Sequence, residues 1–126
     1  MMSLAKLLLC LTVWGCALCL LGCKQEKESR VDASQPLEQS FREAEPEAKQ
    51  AIATVKARLE AGDYTQAGRA LEPVLAGRKL TPQQREAVGL LFKQINQAVA
   101  TNPSLDSKEL YELRVKLARA ARGDAF

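Results

Sequence analysis

The chain has 126 residues, with 18 Lys+Arg against 15 Asp+Glu, a formal charge of +3, four cysteines and no histidine. That length accommodates one domain, and 5% aromatic content with a single Trp excludes a large aromatic core. The lack of histidine excludes His-based triads, H-E-x-x-H zinc sites and Cys2His2 fingers, and removes the usual proton carrier near neutral pH.

Residues 1–22 carry one charge, Lys6, ahead of a near-continuous apolar run from Leu7 to Leu21. All four cysteines (Cys10, Cys16, Cys19 and Cys23) lie in this run or immediately after it. A basic start, an apolar stretch and a small residue before a cut site make a secretory signal peptide. The run closes with Leu20-Leu21-Gly22-Cys23, which resembles the lipobox of bacterial lipoproteins: an aliphatic residue, then a small residue beside the scissile bond, then Cys. The resemblance implies cleavage between Gly22 and Cys23, diacylglycerol on the Cys23 thiol and an acylated new amino terminus. Leu21 departs from the pattern, since smaller residues are commoner there.

An uncleaved membrane anchor is the alternative, because a span needs about 20 apolar residues. The Cys16-Ala-Leu-Cys19 spacing matches C-x-x-C. It sits inside the apolar run with no second Cys pair or His, and signal-peptide composition accounts for it. Cleavage removes residues 1–22 and leaves 104 residues whose only cysteine is the acylated one. Two or more acyl chains anchor stably where one does not. Lys24 rather than Asp follows Cys23. By resemblance to enteric lipoproteins, this implies the outer membrane, facing the periplasm, in a cell with two membranes.

From Lys24 to Gln35 only Val31 and Ala33 are apolar. Such a segment buries too little surface to offset its ordering entropy, so residues 23–35 read as a lipidated Cys and a flexible tether. Helical spacing then begins at Pro36. Leu37, Phe41, Ala44, Ala48, Ile52, Val55 and Leu59 recur at steps of three or four, the mark of one buried stripe. Pro46 interrupts the stripe and predicts a kink or restart near Glu45, and Gly62 is the expected C-cap.

The second helix begins at Asp63 as N-cap, with Gln66 three residues on. Its stripe is Tyr64, Ala67, Leu71, Val74 and Leu75; Pro73 falls within it and Gly77 closes it. The third opens with Thr81-Pro82-Gln83-Gln84, a hydroxyl N-cap, Pro at N1 and Gln at N3. Val88, Leu91, Phe92, Ile95 and Val99 form its inward face, and Asn102-Pro103 ends it. The fourth is expected to open at Asp106, with Glu109 at N3 and Leu105 and Leu110 as a hydrophobic staple. Its stripe is Leu110, Leu113, Leu117 and Ala121, and Gly123 is the stop. No segment alternates with period two for long enough to form a strand. The sequence therefore predicts an all-α domain of about four amphipathic helices over residues 36–123, with a tail at 124–126.

The turn Leu59-Glu60-Ala61-Gly62-Asp63-Tyr64-Thr65-Gln66-Ala67 resembles the inter-helix turn of a tetratricopeptide repeat at Gly62, Tyr64 and Ala67. That resemblance implies helical hairpins stacked as in a repeat protein; an ordinary up-down bundle fits the same short loops. Val55 and Val74 depart from the family, which prefers small residues there. Two hairpins are also fewer than the three or so a solenoid needs.

No catalytic constellation emerges, and the chain reads as a non-enzyme. Ser107-Lys108 lacks the positioning context of a nucleophile and fits helix capping. Glu43, Glu45 and Glu47 flank a proline in a polar stretch, and Glu109 and Glu112 suit an opening helical turn. No phosphate loop, EF-hand or zinc spacing is present, so no metal, cofactor or small-molecule substrate is expected. The charge is uneven: residues 24–63 balance to −2 and residues 64–126 to +4. The fourth helix carries Lys108, Arg114, Lys116, Arg119 and Arg122. Arg114, Lys116, Arg119 and Arg122 are the candidate interaction face, although basic residues near a helix C-terminus also simply stabilise it. The modest charge, few aromatics and export signal disfavour nucleic acid.

Two functions follow as expectations. The first is a lipid-anchored bacterial envelope protein whose helical domain serves as an interaction or scaffolding module for an envelope protein partner. The second is a structural envelope lipoprotein that contacts cell wall or anionic lipid through its basic C-terminal helix.

Overall fold

A computed structural model describes residues 30–124. The signal peptide, Gly22–Cys23 cleavage and Cys23 lipidation expected from the sequence therefore fall outside the described residues, as do residues 125–126. Within them the protein is all-α. Five helices, α1 (Ser34–Ser40), α2 (Pro46–Glu60), α3 (Tyr64–Leu75), α4 (Pro82–Thr101) and α5 (Lys108–Arg122), are joined by short loops and one 3-10 turn, Pro103–Leu105. No helix among the described residues is long and apolar enough to cross a membrane.

The count of five arises at Pro46. Proline forces the preceding residue into extended backbone, and Glu45 adopts ψ 154° as the N-cap of α2. The stripe predicted for one helix is thus divided between two, and the interruption is a restart rather than a kink. Both halves still reach the core, through Leu37 and Phe41 on one side and Ala48, Ile52, Val55 and Leu59 on the other.

The folded unit also starts earlier than the tether boundary at Gln35 implied. The N–H of Val31 donates to Gln97 Oε1 at 3.0 Å and that of Ala33 to Gln94 Oε1 at 2.9 Å. Ala33 is fully buried, and Ser34 N–H donates to the Asp32 carboxylate at 3.0 Å. Glutamine side chains of α4 satisfy two backbone donors that have no helical partner. That Ser34 N–H bond does most to hold the Asp32 carboxyl below the ordinary carboxylate range, helped by the Ser34 side chain and the Lys56 charge and opposed by partial desolvation.

The hairpin of α2 and α3 turns on Gly62, whose φ of +75° is the left-handed conformation that glycine adopts without steric cost. Asp63 Oδ1 then accepts from Gln66 N–H at 3.1 Å, as its sequence position predicts. The α4 start forms a full capping box: Gln84 N–H donates to Thr81 Oγ1 at 3.1 Å and Thr81 N–H to Gln84 Oε1 at 3.0 Å. Gln84 also donates from Nε2 to the Ser40 carbonyl at 3.3 Å, tying this end of α4 to the end of α1.

Two details of α5 differ from expectation. Ser107, not Asp106, is the N-cap, and its Oγ accepts from Leu110 N–H at 3.1 Å. The Pro103–Leu105 turn occupies the residues ahead of it, and Asp106 is drawn instead to Arg114 at 2.6 Å. The stripe includes Ala120 at 5% exposure, whereas Ala121 is only half-buried at the α4 side. On α4, Phe92 and Val99 are half-buried and Ala87 joins the core.

Packing links α2 with α3, α4 with α5, α3 with α5, and α1 with both α2 and α4. The helices thus surround one core, in which Phe41, Leu37, Leu71, Leu91, Ile95, Leu110 and Leu117 are the largest fully buried side chains. No polar or charged residue is buried among the described residues. The α3–α5 approach depends on Gly68, where an added Cβ would lie 3.0 Å from Leu113 Cδ1.

Candidate interaction surface

At 100° per residue, Leu110, Leu113, Leu117 and Ala120 define the buried side of α5. The opposite side therefore carries Lys108, Tyr111, Val115, Arg119 and Arg122. Tyr111 is 58% exposed and Val115 37%, and these are the only large hydrophobic side chains exposed among the described residues. They stand one turn apart, so their apolar surfaces are adjacent. Cations lie at both ends of this pair, and Glu112 at its edge is the nearest acid on the helix.

The four cations predicted as one face separate into two groups. Arg114 is drawn inward, with its side chain 17% exposed. It donates to Asp106 at 2.6 Å and to Asn96 Oδ1 at 3.0 Å, and its guanidinium carbon lies 5.7 Å from the Tyr111 ring centroid. Its buried Nε has no hydrogen-bond partner. Lys116 donates to Glu72 of α3 at 2.6 Å. Arg114 and Lys116 therefore brace α5 against the 3-10 turn, α4 and α3. Arg119 and Arg122 stay outward; Arg122 pairs with Asp124 at 3.1 Å, and Arg119 makes no ion pair among the described residues.

The sequence carries a signal for Tyr111 and Val115 that the basic residues of the same helix overshadow. Tyr111 and Val115 are apolar at i and i+4 on the side facing away from Leu110, Leu113 and Leu117, where a helix in a small domain is ordinarily polar. Exposed apolar side chains in contact with one another are more informative than scattered ones.

Three of the Ser and Glu candidates make structural contacts. Ser107 caps α5, Glu45 pairs with Arg78 at 2.7 Å, and Glu109 pairs with Arg69. Among the described residues no group of three or more acidic or Cys side chains could hold a metal ion. A cleft of about 570 Å³ lies between α1 and α2, lined by Phe41, Arg42, Lys49 and Ile52 and by a Lys56–Glu38 pair at 3.2 Å. Comparison of the chain with protein-family models, curated proteins and solved structures found no match.

Proposed function

We propose that the protein is a lipid-anchored component of a bacterial cell envelope whose helical domain is a docking module for another envelope protein. The address rests on the lipobox-like Leu20-Leu21-Gly22-Cys23 that closes the apolar run. In a cell with two membranes the anchor sits in the outer membrane and the domain faces the periplasm.

The observation that carries the docking role is the outward side of α5, with Tyr111 and Val115 exposed and Lys108, Arg119 and Arg122 around them. Aromatic and Arg side chains are the types most often found at the energetic centre of protein interfaces. Anchoring confines the domain near a membrane surface and raises its effective concentration toward partners held there. A weak interface then suffices.

The same outward cations support a second reading, in which α5 contacts cell wall or anionic lipid. Attraction to an anionic surface grows by roughly 1 kcal/mol per basic residue near it, and Arg122 is already paired within the domain. Sedimentation with purified wall or phosphatidylglycerol vesicles distinguishes the two. Binding that falls when Arg119 and Arg122 are changed to Gln supports the second reading, and no binding supports the first. The anchor is tested separately: Cys23→Ala abolishes incorporation of a palmitate analogue, and normal incorporation overturns the address.

A further inference from the structure

Two clefts meet at Pro82 and Arg85. The larger, about 660 Å³, opens where the end of α3, the α3–α4 loop, the first turn of α4 and the end of α5 converge. It is lined by the buried Leu75 and Ala120, the half-buried Leu80 and the exposed Pro82, together with the half-buried Arg78 and Arg85 and the exposed Lys79; Arg85 lies against Gly123 at the end of α5. The second, about 450 Å³, continues along the α4–α5 seam past Gly89, Leu90, Lys93 and Ala121. Small side chains keep the seam open: a Cβ placed on Gly89 would meet only the Ala121 Cβ, at 3.7 Å.

The charges along this groove are not balanced from within. Arg78 is held by Glu45 at 2.7 Å, and Asp124 by Arg122 at 3.1 Å. Lys79, Arg85 and Lys93 make no ion pair among the described residues, and Glu86 is the one acid of the lining that is likewise unpaired. An incoming carboxylate can therefore pair with these cations without displacing an existing partner.

We propose that this groove takes an acidic polypeptide segment bearing an apolar side chain, the carboxylates meeting Lys79, Arg85 and Lys93 and the apolar group seated on Leu75, Leu80 and Ala120. The proposal rests on the docking reading above and adds the chemistry of the partner. Shape favours a polypeptide over a bilayer. The apolar lining residues Leu75 and Ala120 are nearly buried beside the cations, so a side chain projecting from a polypeptide reaches them where a headgroup surface does not. Complementary charge steers such a segment to the site and makes its capture salt-sensitive.

The experiment uses the full chain purified in detergent and a fluorescent peptide of glutamates around two leucines. Titration should give saturable binding that weakens with added salt and is lost when the leucines of the peptide are alanines. Changing Lys79, Arg85 and Lys93 together to Gln should weaken binding about tenfold, the effect of losing three exposed charge contacts. Arg42→Gln with Lys49→Gln, in the α1–α2 cleft, should leave binding unchanged. Gly89→Leu fills the seam with its charges intact and should also weaken the peptide, with helix content by circular dichroism retained in every variant. Absence of saturable binding, equal weakening by the two sets of charge changes, or adsorption of phosphatidylglycerol vesicles without peptide binding would overturn the proposal. Failure of the peptide while crosslinking from Val115 still yields a protein adduct in cells would reject this groove and leave the docking role of α5 standing.

Discussion

Replacing Phe41 with alanine tests whether the segment ahead of Pro46 belongs to the core. Phe41 is 1% exposed and is the largest fully buried side chain among the described residues. A buried aromatic removes about 150–250 Å² from water, which at roughly 25 cal/mol per Å² amounts to about 4–6 kcal/mol. Measured truncations of buried Phe cost about 3–5 kcal/mol once partial relaxation of the cavity is included. A small domain holds roughly 5–15 kcal/mol in total, so the loss is a large share of it. Each kcal/mol lowers the melting temperature of such a domain by about 4–8 °C. Thermal and urea unfolding followed by circular dichroism should therefore show a fall of at least about 12 °C for a loss of 3 kcal/mol. Phe92→Ala, at a half-buried position, should cost clearly less. A loss below about 1 kcal/mol for Phe41→Ala, the size of an ordinary substitution, would mean that α1 contributes little to the core, and the reasoning would fail.

Gly68→Val should destabilise the domain by about 1–3 kcal/mol in urea titration, because overpacking forces strain on its neighbours and its Cβ meets Leu113 Cδ1 at 3.0 Å. Thr81→Ala removes the acceptor for Gln84 N–H and should cost about 1 kcal/mol, with Thr81→Asp retaining most of the stability. The Asp32 carboxyl should titrate below the ordinary range in an NMR pH series, chiefly because Ser34 N–H donates to it. A carboxylate whose folded value is depressed contributes stability above its unfolded value and loses it as pH falls through the folded one. Protection of the Ser34 amide, measured relative to its intrinsic exchange rate at each pH, should accordingly fall at acid pH, and an ordinary titration of Asp32 would refute the contact.

The parts legible in the sequence are those fixed by neighbouring residues. Thr81, Pro82 and Gln84 start α4 because the cap donors and acceptors are three residues apart, and Gly62 with Asp63 makes the α2–α3 turn for similar reasons. What escaped depends on partners far along the chain. Val31 and Ala33 join the fold through Gln97 and Gln94, and a composition that reads as a tether contains no sign of those amides. Asp106 and Ser107 are both good N-caps; the choice fell to Ser107 while Arg114 engaged Asp106. Ala120 and Ala121 differ by 100° around α5, and only the packing against α3 and α4 selects the first. The cations of α5 were visible as a group, but their division into braces and outward residues required Glu72, Asn96 and Asp106 in space.

The outward side of α5 places the exposed Tyr111 and Val115 beside Lys108 and Arg119, which make no ion pair among the described residues. In the proposed setting, with the domain held by lipid near a partner protein, weak and charge-steered contacts are sufficient. The most direct test is photocrosslinking in cells from a reactive residue placed at Val115, compared with the exposed Glu60 on α2. The account predicts a discrete protein adduct from Val115, absent from Glu60 and diminished in a Cys23→Ala background. Equal adducts from both positions, or adducts from Val115 that do not depend on Cys23, would contradict an anchored docking module.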